Sequence, residues 1–224
     1  AKVGAVGVCP VVGLFRNKNV DGEVLFVTDW TPQGDLLSYC RTLMSPGLER
    51  EARVMQVLAS LVSSVVSLHE HGTAHGNLSV ESARLRWPNQ RGHPEVLLSD
   101  LTHFKQGADA LSARGPSGQA AYVAPEAHSS ETHSAFAADF WAVGIIAYSM
   151  ATGAHPWLST APGADKAYAY FVANGLEAFL EKRMVTMAGR RAADCMSWRL
   201  VSTLQLLLSS DPSQRADAVA FLMQ

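Results

Sequence analysis

Residues 121–152 read AYVAPEAHSSETHSAFAADFWAVGIIAYSMAT and carry the most informative pattern for the fold. Its second part, residues 139–152, is apolar on almost every side when it is drawn as a helix. A helix that is apolar all round is buried inside a domain. The stretch therefore predicts a buried central helix, and the Ala124-Pro125-Glu126 motif before it closes a long loop.

The first residues predict a β-hairpin. Two β-rich runs, residues 11–15 and 24–28, flank turn-forming residues at 17–22, which is typical of a hairpin. A short helix is expected over residues 35–43, with Asp35 placed to cap its N-terminus.

The next part of the chain predicts a long helix and two strands. Apolar residues recur at three- and four-residue steps over residues 48–69, the strongest helical signal in the chain, and Gly72 is expected to end that helix. Short strands are expected over residues 83–87 and 95–99. Residues 106–119 are rich in Gly, Ala and Ser without periodicity and predict a loop.

Everything after Pro125 is helical in character. Besides the central helix, further helices are expected at residues 164–174, 175–183, 195–208 and 215–223. One hairpin followed by a mainly helical body predicts an α+β fold that forms a single structural unit.

The composition excludes several classes of function. Of the 224 residues, 48% are hydrophobic, and the formal net charge of −2 provides no basic footprint for nucleic acid. No apolar run reaches the length of about 18 to 20 residues that a membrane span requires. The chain starts at Ala1 without an initiator Met or a signal peptide, so we expect the natural N-terminus to be missing. Cys9, Cys40 and Cys195 have no metal-binding spacing and are expected to be buried or partly buried thiols, which leaves the compartment open.

Five short motifs follow one another in a definite order. They are HGNLSVES at 75–82, DLT at 100–102, YVAPE at 122–126, DFWAVG at 139–144 and DPSQR at 211–215. Protein kinases present a catalytic loop, a D-F-G and an A-P-E in this order. The chain therefore resembles the protein-kinase family, from Cys9, near the fourth strand of the small lobe, to its end.

This resemblance implies a protein-kinase-like fold in two parts. Residues 1–31 would be a remnant of the small lobe, a truncated β-hairpin with the hinge, and residues 32–224 the mainly helical large lobe. Thr28 would be the gatekeeper, and Asp29 and Thr31 would belong to the hinge that meets adenine in an active kinase.

The resemblance also implies that the catalytic residues have been replaced. His75 opens the catalytic loop, and Asn77 stands where the family carries the Asp that accepts the hydroxyl proton. An Asn side chain cannot act as a base near neutral pH. Ser79 and Ser82 align with the loop's Lys and its magnesium-binding Asn, and Gln119 aligns with the Thr before the A-P-E.

The resemblance implies that Asp100 alone keeps the residue type that active kinases carry at its position, where it would be a magnesium ligand. Leu101 and Thr102 follow it in place of the family's Phe and Gly. A hard cation held by one carboxylate binds weakly, so no cofactor is expected, with ATP and magnesium as the alternative. Residues 4–7 are interpreted as a loop that leads into the hairpin rather than as a relic of the Gly-rich loop.

The structural marks of the family are intact in the sequence. The resemblance implies that Glu126 and Arg215 form a buried ion pair that ties the A-P-E segment to the helical lobe. Asp139 and Trp141 would anchor the central helix to the backbone of the catalytic loop.

These features predict a pseudokinase that acts as a scaffold or allosteric partner of another protein, such as an active kinase, and that binds no nucleic acid. Two alternatives stay open: an atypical active Ser/Thr kinase that binds ATP in a rebuilt site, and a fragment of a longer kinase. His75-Gly76 is similar to the loop of apicomplexan rhoptry-type secreted kinases. A protein of that kind would be secreted or vacuolar, and otherwise a cytoplasmic location is expected.

Two further interpretations are weaker. His69, His71 and His75 invite a metal site, but residues two apart on a helix point in different directions. Ser112 and Ser117 lie where activation loops are phosphorylated, without a basic cluster that would receive the phosphate.

Overall fold

The chain begins with an exposed hairpin. The computed structural model describes residues 7–20, 22–87 and 93–222. Strands β1 (Val11–Arg16) and β2 (Val24–Thr28) pair in antiparallel fashion, which confirms the predicted hairpin. Its apolar side chains are open to solvent, with Leu14 67% and Phe26 52% exposed. The division of the chain after residue 31 stays a prediction.

The segment before the hairpin is paired with the large lobe. Residues 4–6 of the glycine-containing segment lie outside the described residues. The carbonyl of Gly7 accepts a hydrogen bond from the N–H of Leu98, and the N–H of Cys9 donates to the Leu98 carbonyl. A Cβ at Gly7 would lie 2.5 Å from the Cβ of Ser64. The described part of this segment leads into β1 as a loop, as predicted, and a single isolated bridge between Val8 and Leu98 holds it to the large lobe.

Two helices follow the hairpin as predicted. Helix α1 (Leu36–Thr42) begins after Asp35, whose carboxylate accepts a hydrogen bond of 2.8 Å from the N–H of Ser38. Helix α2 (Leu48–Glu70) buries its apolar face, and the chain leaves it through Gly72 at φ +70°. That backbone conformation favours glycine at the end of a helix.

Two small antiparallel strand pairs pack against α2. Strands β4 (Ala83–Arg86) and β5 (Glu95–Leu98) pair as predicted. Strands β3 (Thr73–Ala74) and β6 (Lys105–Gln106) form a second pair. The sequence did not predict the second pair, because two residues are too few to show an alternating pattern.

The predicted loop over residues 106–119 contains a short helix, α3 (Ala108–Leu111). Ala110 is fully buried in a cluster of small side chains that includes Ala74 and Ala135. The prediction of a loop over the whole stretch is wrong at this helix. Tertiary packing of alanines holds the turn, and a four-residue helix has no periodicity that a sequence could reveal.

The central helix α4 spans Ala135–Thr152 and is almost completely buried, as predicted. It begins at Ala135 rather than at Asp139, because the hydroxyl of Ser134 accepts a hydrogen bond from the N–H of Ala137 and caps the helix. Gly153, at φ +80°, ends it.

Helix α5 (Lys166–Lys182) has a bend inside it. Gly175 has φ 81° and ψ 174°, which is not helical. The sequence predicted two helices that meet at this point, over 164–174 and 175–183, and the bend confirms that division. The first half begins at Lys166 because the carboxylate of Asp165 caps it.

A small hairpin interrupts the helical part of the chain. Strands β7 (Met184–Val185) and β8 (Arg190–Arg191) pair in antiparallel fashion. The prediction that everything after Pro125 is helical is wrong at this hairpin, whose strands have two residues each.

The last two helices begin later than predicted, and the predicted end of the second, residue 223, lies outside the described residues. Helix α6 (Trp198–Leu207) follows a 3₁₀ turn at Ala193–Cys195 and is capped by Ser197. Helix α7 (Asp217–Leu222) follows a 3₁₀ turn at Pro212–Ala216. The apolar spacing of both helices is visible in the sequence. The 3₁₀ turns that precede them have the same spacing, so the first residue of each helix could not be predicted.

Helices α2 and α4 are each long and apolar enough, by length and composition alone, to cross a membrane. In α4, 83% of the apolar window is buried inside the domain. Core helices of globular proteins meet the same criterion, so these two helices are weak evidence for a span. The absence of a membrane span stays a prediction.

Candidate catalytic site

A single carboxylate of α4 holds the loop between β3 and β4. The N–H of His75 donates to Oδ2 of Asp139 at 2.7 Å, and the N–H of Gly76 donates to Oδ1 at 2.9 Å. Nε2 of His69, near the end of α2, lies 2.9 Å from the same carboxylate. The central helix therefore fixes where the loop begins.

The first two residues of the loop are tightly enclosed. His75 is fully buried, with Nε2 2.8 Å from the carbonyl oxygen of Ser99, and burial lowers its pKa. Gly76 has φ +73°, and a Cβ there would clash with the carbonyl oxygen of His103. The Arg that the kinase pattern carries at this position would not fit against that backbone.

Asn77 is half-buried beside Asp100. Its side-chain Nδ2 donates to Oδ2 of Asp100 at 2.9 Å, and the carboxylate partner decides which end of the amide faces it. The amide oxygen is buried without a hydrogen-bond partner in the part of the chain that the structure describes. A Cβ at Gly118 would lie 2.7 Å from that oxygen. The Asn77 amide group is thus hydrogen-bonded to Asp100 through its nitrogen, and the segment around Gly118 covers its oxygen.

The two serines of the loop are turned inward. The hydroxyl of Ser82 accepts from the N–H of Ser79 at 2.9 Å and donates to the carbonyl of Asn77 at 3.1 Å. The hydroxyl of Ser79 accepts from the N–H groups of Glu81 and Ser82, at 3.2 Å each. Both side chains are buried. Their hydroxyls satisfy the loop's own backbone.

Gln119 joins the same group of residues. Its Nε2 lies 3.4 Å from the hydroxyl of Ser79 and 3.5 Å from Oε2 of Glu81. Gln119, Asn77 and Asp139 also line a cavity of about 30 Å³, which is room for about one water molecule. The structure therefore brings the predicted degenerate positions into one place.

Asp100 adopts an unusual backbone conformation. Its φ and ψ are both 59°, and it is the only non-glycine residue with positive φ in the described ranges. This conformation costs roughly 1–2 kcal/mol for a residue with a Cβ. The hydroxyl of Thr102 donates to Oδ1 at 2.7 Å, while the Asn77 amide occupies Oδ2. Both carboxylate oxygens are engaged by neighbouring side chains.

The predicted hinge follows directly after β2. Thr28 is half-buried, Asp29 is exposed, and the N–H of Asp29 donates to the carbonyl of Pro10 at 2.9 Å. Thr31 is 2% exposed, and its hydroxyl has no hydrogen-bond partner among the residues described. These contacts fix the segment, and its contact with nucleotide stays a prediction.

Glu126 and Arg215 form a bidentate ion pair. The two N–O distances are 2.5 Å and 2.9 Å, and the Arg215 side chain is fully buried. The guanidinium also donates to the carbonyls of Ala137 and Ser209, at 3.1 Å and 3.0 Å. Its Cζ lies 5.0 Å from the centroid of the Trp141 ring. One arginine thus joins the A-P-E segment, the start of α4 and the C-terminal 3₁₀ turn.

The three histidines of the metal interpretation have separate partners. His69 contacts the carboxylate of α4, Nδ1 of His71 lies 2.7 Å from the carbonyl of Ser67, and His75 contacts Ser99. Within the described ranges, no group of three or more His, Cys, Asp or Glu side chains converges on one point. The structure gives the metal interpretation no support there.

Sequence reasoning missed two residues of the site. The N–H of Val80 donates to the hydroxyl of Tyr122 at 3.3 Å, and burial raises the pKa of Tyr122. The hydroxyl of Ser99 donates to the carbonyl of Ser82 at 2.8 Å. Both contacts join distant parts of the chain, so no local pattern indicates them.

Of the two serines predicted to lie where activation loops are phosphorylated, Ser112 donates its hydroxyl to the carbonyl of Ala108.

A loop anchored by Asp139, a segment tied down by the Glu126–Arg215 pair and a buried helix between them define the class as a protein kinase. The sequence profile of the protein kinase domain matches residues 4–224. The chain therefore belongs to the protein kinase family, and both the fold class and the family resemblance are confirmed.

Several curated kinases are similar to the chain. Serine/threonine-protein kinase AtPK1/AtPK6 of Arabidopsis thaliana is 35% identical over 118 residues, which are 53% of this chain and 24% of that protein. Serine/threonine-protein kinase 17A of Oryctolagus cuniculus is 24% identical over 209 residues, 93% of this chain and 48% of that protein. The ribosomal protein S6 kinase-related protein of Homo sapiens is 32% identical over 127 residues, 54% of this chain and 29% of that protein. The chain spans about a quarter to a half of the length of these relatives.

Proposed function

We propose that this protein kinase domain is a pseudokinase, catalytically impaired and acting by binding another protein. The proposal is carried by Asn77, which stands at the position of the catalytic Asp in the kinase pattern. Its side-chain amide donates a hydrogen bond to the carboxylate of Asp100. An amide cannot accept the proton of a substrate hydroxyl near neutral pH. Loss of general-base catalysis typically costs a factor of about 10² to 10⁴ in rate.

The neighbouring substitutions support the same proposal. Phosphoryl transfer depends on cations that neutralise the charge developing on the transferred group. Ser79 stands at the position of the loop Lys, and its hydroxyl accepts hydrogen bonds from the loop backbone. Gln119 contacts Ser79 instead of a catalytic Asp–Lys pair. These side chains stabilise the shape of the loop and supply no positive charge.

The residues present do not fit magnesium–ATP. Asp100 is the one carboxylate at the predicted metal position, and both of its oxygens accept hydrogen bonds from Asn77 and Thr102. The hydroxyl of Ser82, at the position of the second magnesium ligand, donates to a backbone carbonyl. Magnesium requires oxygen ligands in near-octahedral geometry. We therefore include the absence of a bound nucleotide–metal complex in the proposal.

We propose that this domain functions by binding another protein. The ion pair of Glu126 with Arg215 and the anchoring of the loop by Asp139 keep a kinase-shaped surface. A surface of that shape suits a scaffold or an allosteric partner, and an active kinase is the partner that we propose. The activity of the whole protein is included in this proposal, because the chain covers only part of its relatives.

A finer relationship rests on the loop sequence. His75-Gly76 in place of His-Arg resembles the rhoptry-type secreted kinases of apicomplexans, and the close approach of the His103 carbonyl gives the glycine a structural reason. A rhoptry-type protein would be secreted or vacuolar.

One observation favours a second candidate, an active Ser/Thr protein kinase with a rebuilt site. The relatives named above carry kinase names, and two are called serine/threonine-protein kinases. In that case Asp100 would be the remaining metal ligand, and activity would depend on it.

Thermal unfolding with increasing Mg²⁺–ATP separates the two candidates. The pseudokinase proposal expects the same unfolding temperature at every nucleotide concentration, in this domain and in the full-length protein. A dose-dependent rise in the unfolding temperature, accompanied by phosphate transfer and abolished in Asp100→Ala, would establish the active kinase instead. Asp109→Ala, an exposed aspartate on α3, is the matched control.

A further inference from the structure

A cleft on α5 combines positive charge with aromatic surface. It has a volume of about 470 Å³, which lies in the range of ligand-binding pockets. None of the catalytic-loop residues lines it. The side chains that matter for its chemistry are Lys166, Tyr170, Phe179, Lys182, Arg183 and Met184.

The bend in α5 builds this cleft. Gly175 leaves the helical conformation at φ 81° and ψ 174°, and the two halves of the helix then face each other. The ammonium of Lys182, in the second half, lies 4.0 Å from the ring centroid of Tyr170 in the first half. A Cβ at Gly175 would meet no atom within 4 Å. The glycine is therefore needed for its backbone conformation and not for space.

Among the described residues, the ammonium groups of Lys166 and Lys182 are not paired with a carboxylate. The third positive charge of the cleft, that of Arg183, acts on the Asp165 carboxyl and helps to lower its pKa. The Arg183 guanidinium also donates to the carbonyl of His155 at 3.3 Å. Asp165 accepts hydrogen bonds from three backbone N–H groups at the start of α5. Glu181 pairs with Arg191 at 2.6 Å. None of the described residues that line the cleft is acidic, and no ion pair involves Lys166 or Lys182 in the described ranges. The cleft therefore favours a negatively charged occupant.

Apolar side chains lie beside these charges. Phe179 is buried below the cleft, Tyr170 is half-buried and Met184 is 56% exposed. Methionine adapts its shape to different apolar groups, and tyrosine is a common anchor at protein interfaces. An occupant that fits both features carries an apolar side chain between acidic groups.

We propose that this cleft binds a short acidic peptide segment of a partner protein, with one apolar side chain against Tyr170 and Met184. Its carboxylates would meet the ammonium groups of Lys166 and Lys182. A peptide fits better than a nucleic acid, because the chain as a whole has a net charge of −2, and better than a flat membrane surface, because the site is concave. The biological role of the cleft rests on the proposed protein-binding function, whereas its binding chemistry is independent of catalysis.

Fluorescence anisotropy with a labelled nine-residue peptide tests this proposal. The peptide carries a Leu-Phe centre between Glu and Asp residues, and its control has Gln and Asn in their place. We expect saturable binding of the acidic peptide that weakens as salt is added. The double variant Lys166→Gln/Lys182→Gln should weaken binding by about fivefold to tenfold, and Tyr170→Ala should weaken it as well.

Lys18→Gln is the matched control, because Lys18 is an exposed lysine of the hairpin turn. It removes one positive charge and should leave binding unchanged, and thermal unfolding checks that every variant is folded. Equal binding of the acidic and neutral peptides, or an equal loss in Lys18→Gln, would overturn the proposal. Binding of anionic vesicles or oligonucleotides through the same lysines, without peptide binding, would overturn it too. Phosphate transfer by the wild type would overturn only the pseudokinase proposal.

Discussion

At the residue scale, the contact between Asn77 and Asp100 explains why an amide is stable at this position. Two carboxylates at the same separation would repel each other unless a cation lay between them. The Asn77 amide instead donates a hydrogen bond of 2.9 Å to the carboxylate. The substitution thus removes the need for a metal along with the catalytic base.

The Asn77→Asp variant should therefore be less stable than the wild type by about 1 kcal/mol at neutral pH. Mg²⁺ should restore that loss, because two adjacent carboxylates bind a hard cation better than one. The measurement is urea unfolding with and without Mg²⁺. Asn77→Ala, which removes the hydrogen bond without adding charge, should show no magnesium response. Equal magnesium responses of wild type and Asn77→Asp would contradict this explanation.

The buried pair of Glu126 and Arg215 gives a second prediction at this scale. Arg215→Met should destabilise the domain by roughly 3–5 kcal/mol. It removes the fully buried guanidinium from the partly buried Glu126 carboxylate and from the carbonyls of Ala137 and Ser209. Arg191→Met is the control, since Arg191 and Glu181 form an exposed pair that is expected to contribute little to stability. Chemical denaturation measures both. A similar small loss in the two variants would show that the buried pair is not structural.

At the scale of elements, periodicity and capping account for what the sequence could predict. Helices α2 and α4 were predicted because each has a long apolar pattern. Strands β3 and β7 and helix α3 were missed, because elements of two to four residues carry no period. The candidate site likewise has one part that the sequence predicts and another that it does not. The order of motifs predicted positions such as Asn77, while contacts made by His103, Ser99 and Tyr122 arise only in the folded chain.

The cap of α5 gives the prediction at this scale. Asp165 accepts hydrogen bonds from the N–H groups of Ala167 and Tyr168, at 2.7 Å and 3.0 Å, and from Leu158 at 2.9 Å. Partial burial opposes ionisation, but these hydrogen bonds dominate and lower the pKa of Asp165. Asp165→Ala should cost about 1–2 kcal/mol of unfolding free energy, and Asp165→Asn should cost less because Asn also caps. Equal losses for Ala and Asn would show that capping is not the cause.

At the scale of the whole molecule, one buried and two half-buried histidines make stability depend on pH. Burial lowers the pKa values of His75, His133 and His155. An unfolded histidine has a pKa of about 6.5, so below that pH the unfolded chain binds more protons than the folded domain. Stability is therefore complete above about pH 6.5 and is lost as the pH falls, with a slope of up to about 1.4 kcal/mol per pH unit for each histidine.

Urea unfolding at pH 7.5 and at pH 5.5 measures this dependence. His133→Gln should make the slope shallower, because it removes one of the three groups whose pKa is lowered. Equal stability at the two pH values would contradict the assignment of these histidines as neutral groups in the folded domain.

The central claim concerns the whole domain: its architecture is that of a kinase, while its catalytic loop hydrogen-bonds to itself. The most direct test is phosphate transfer from radiolabelled ATP with Mg²⁺, by the full-length protein, to itself and to a generic protein substrate. We expect no incorporation above that of an Asp100→Ala variant. Incorporation by the wild type that disappears in Asp100→Ala would contradict it.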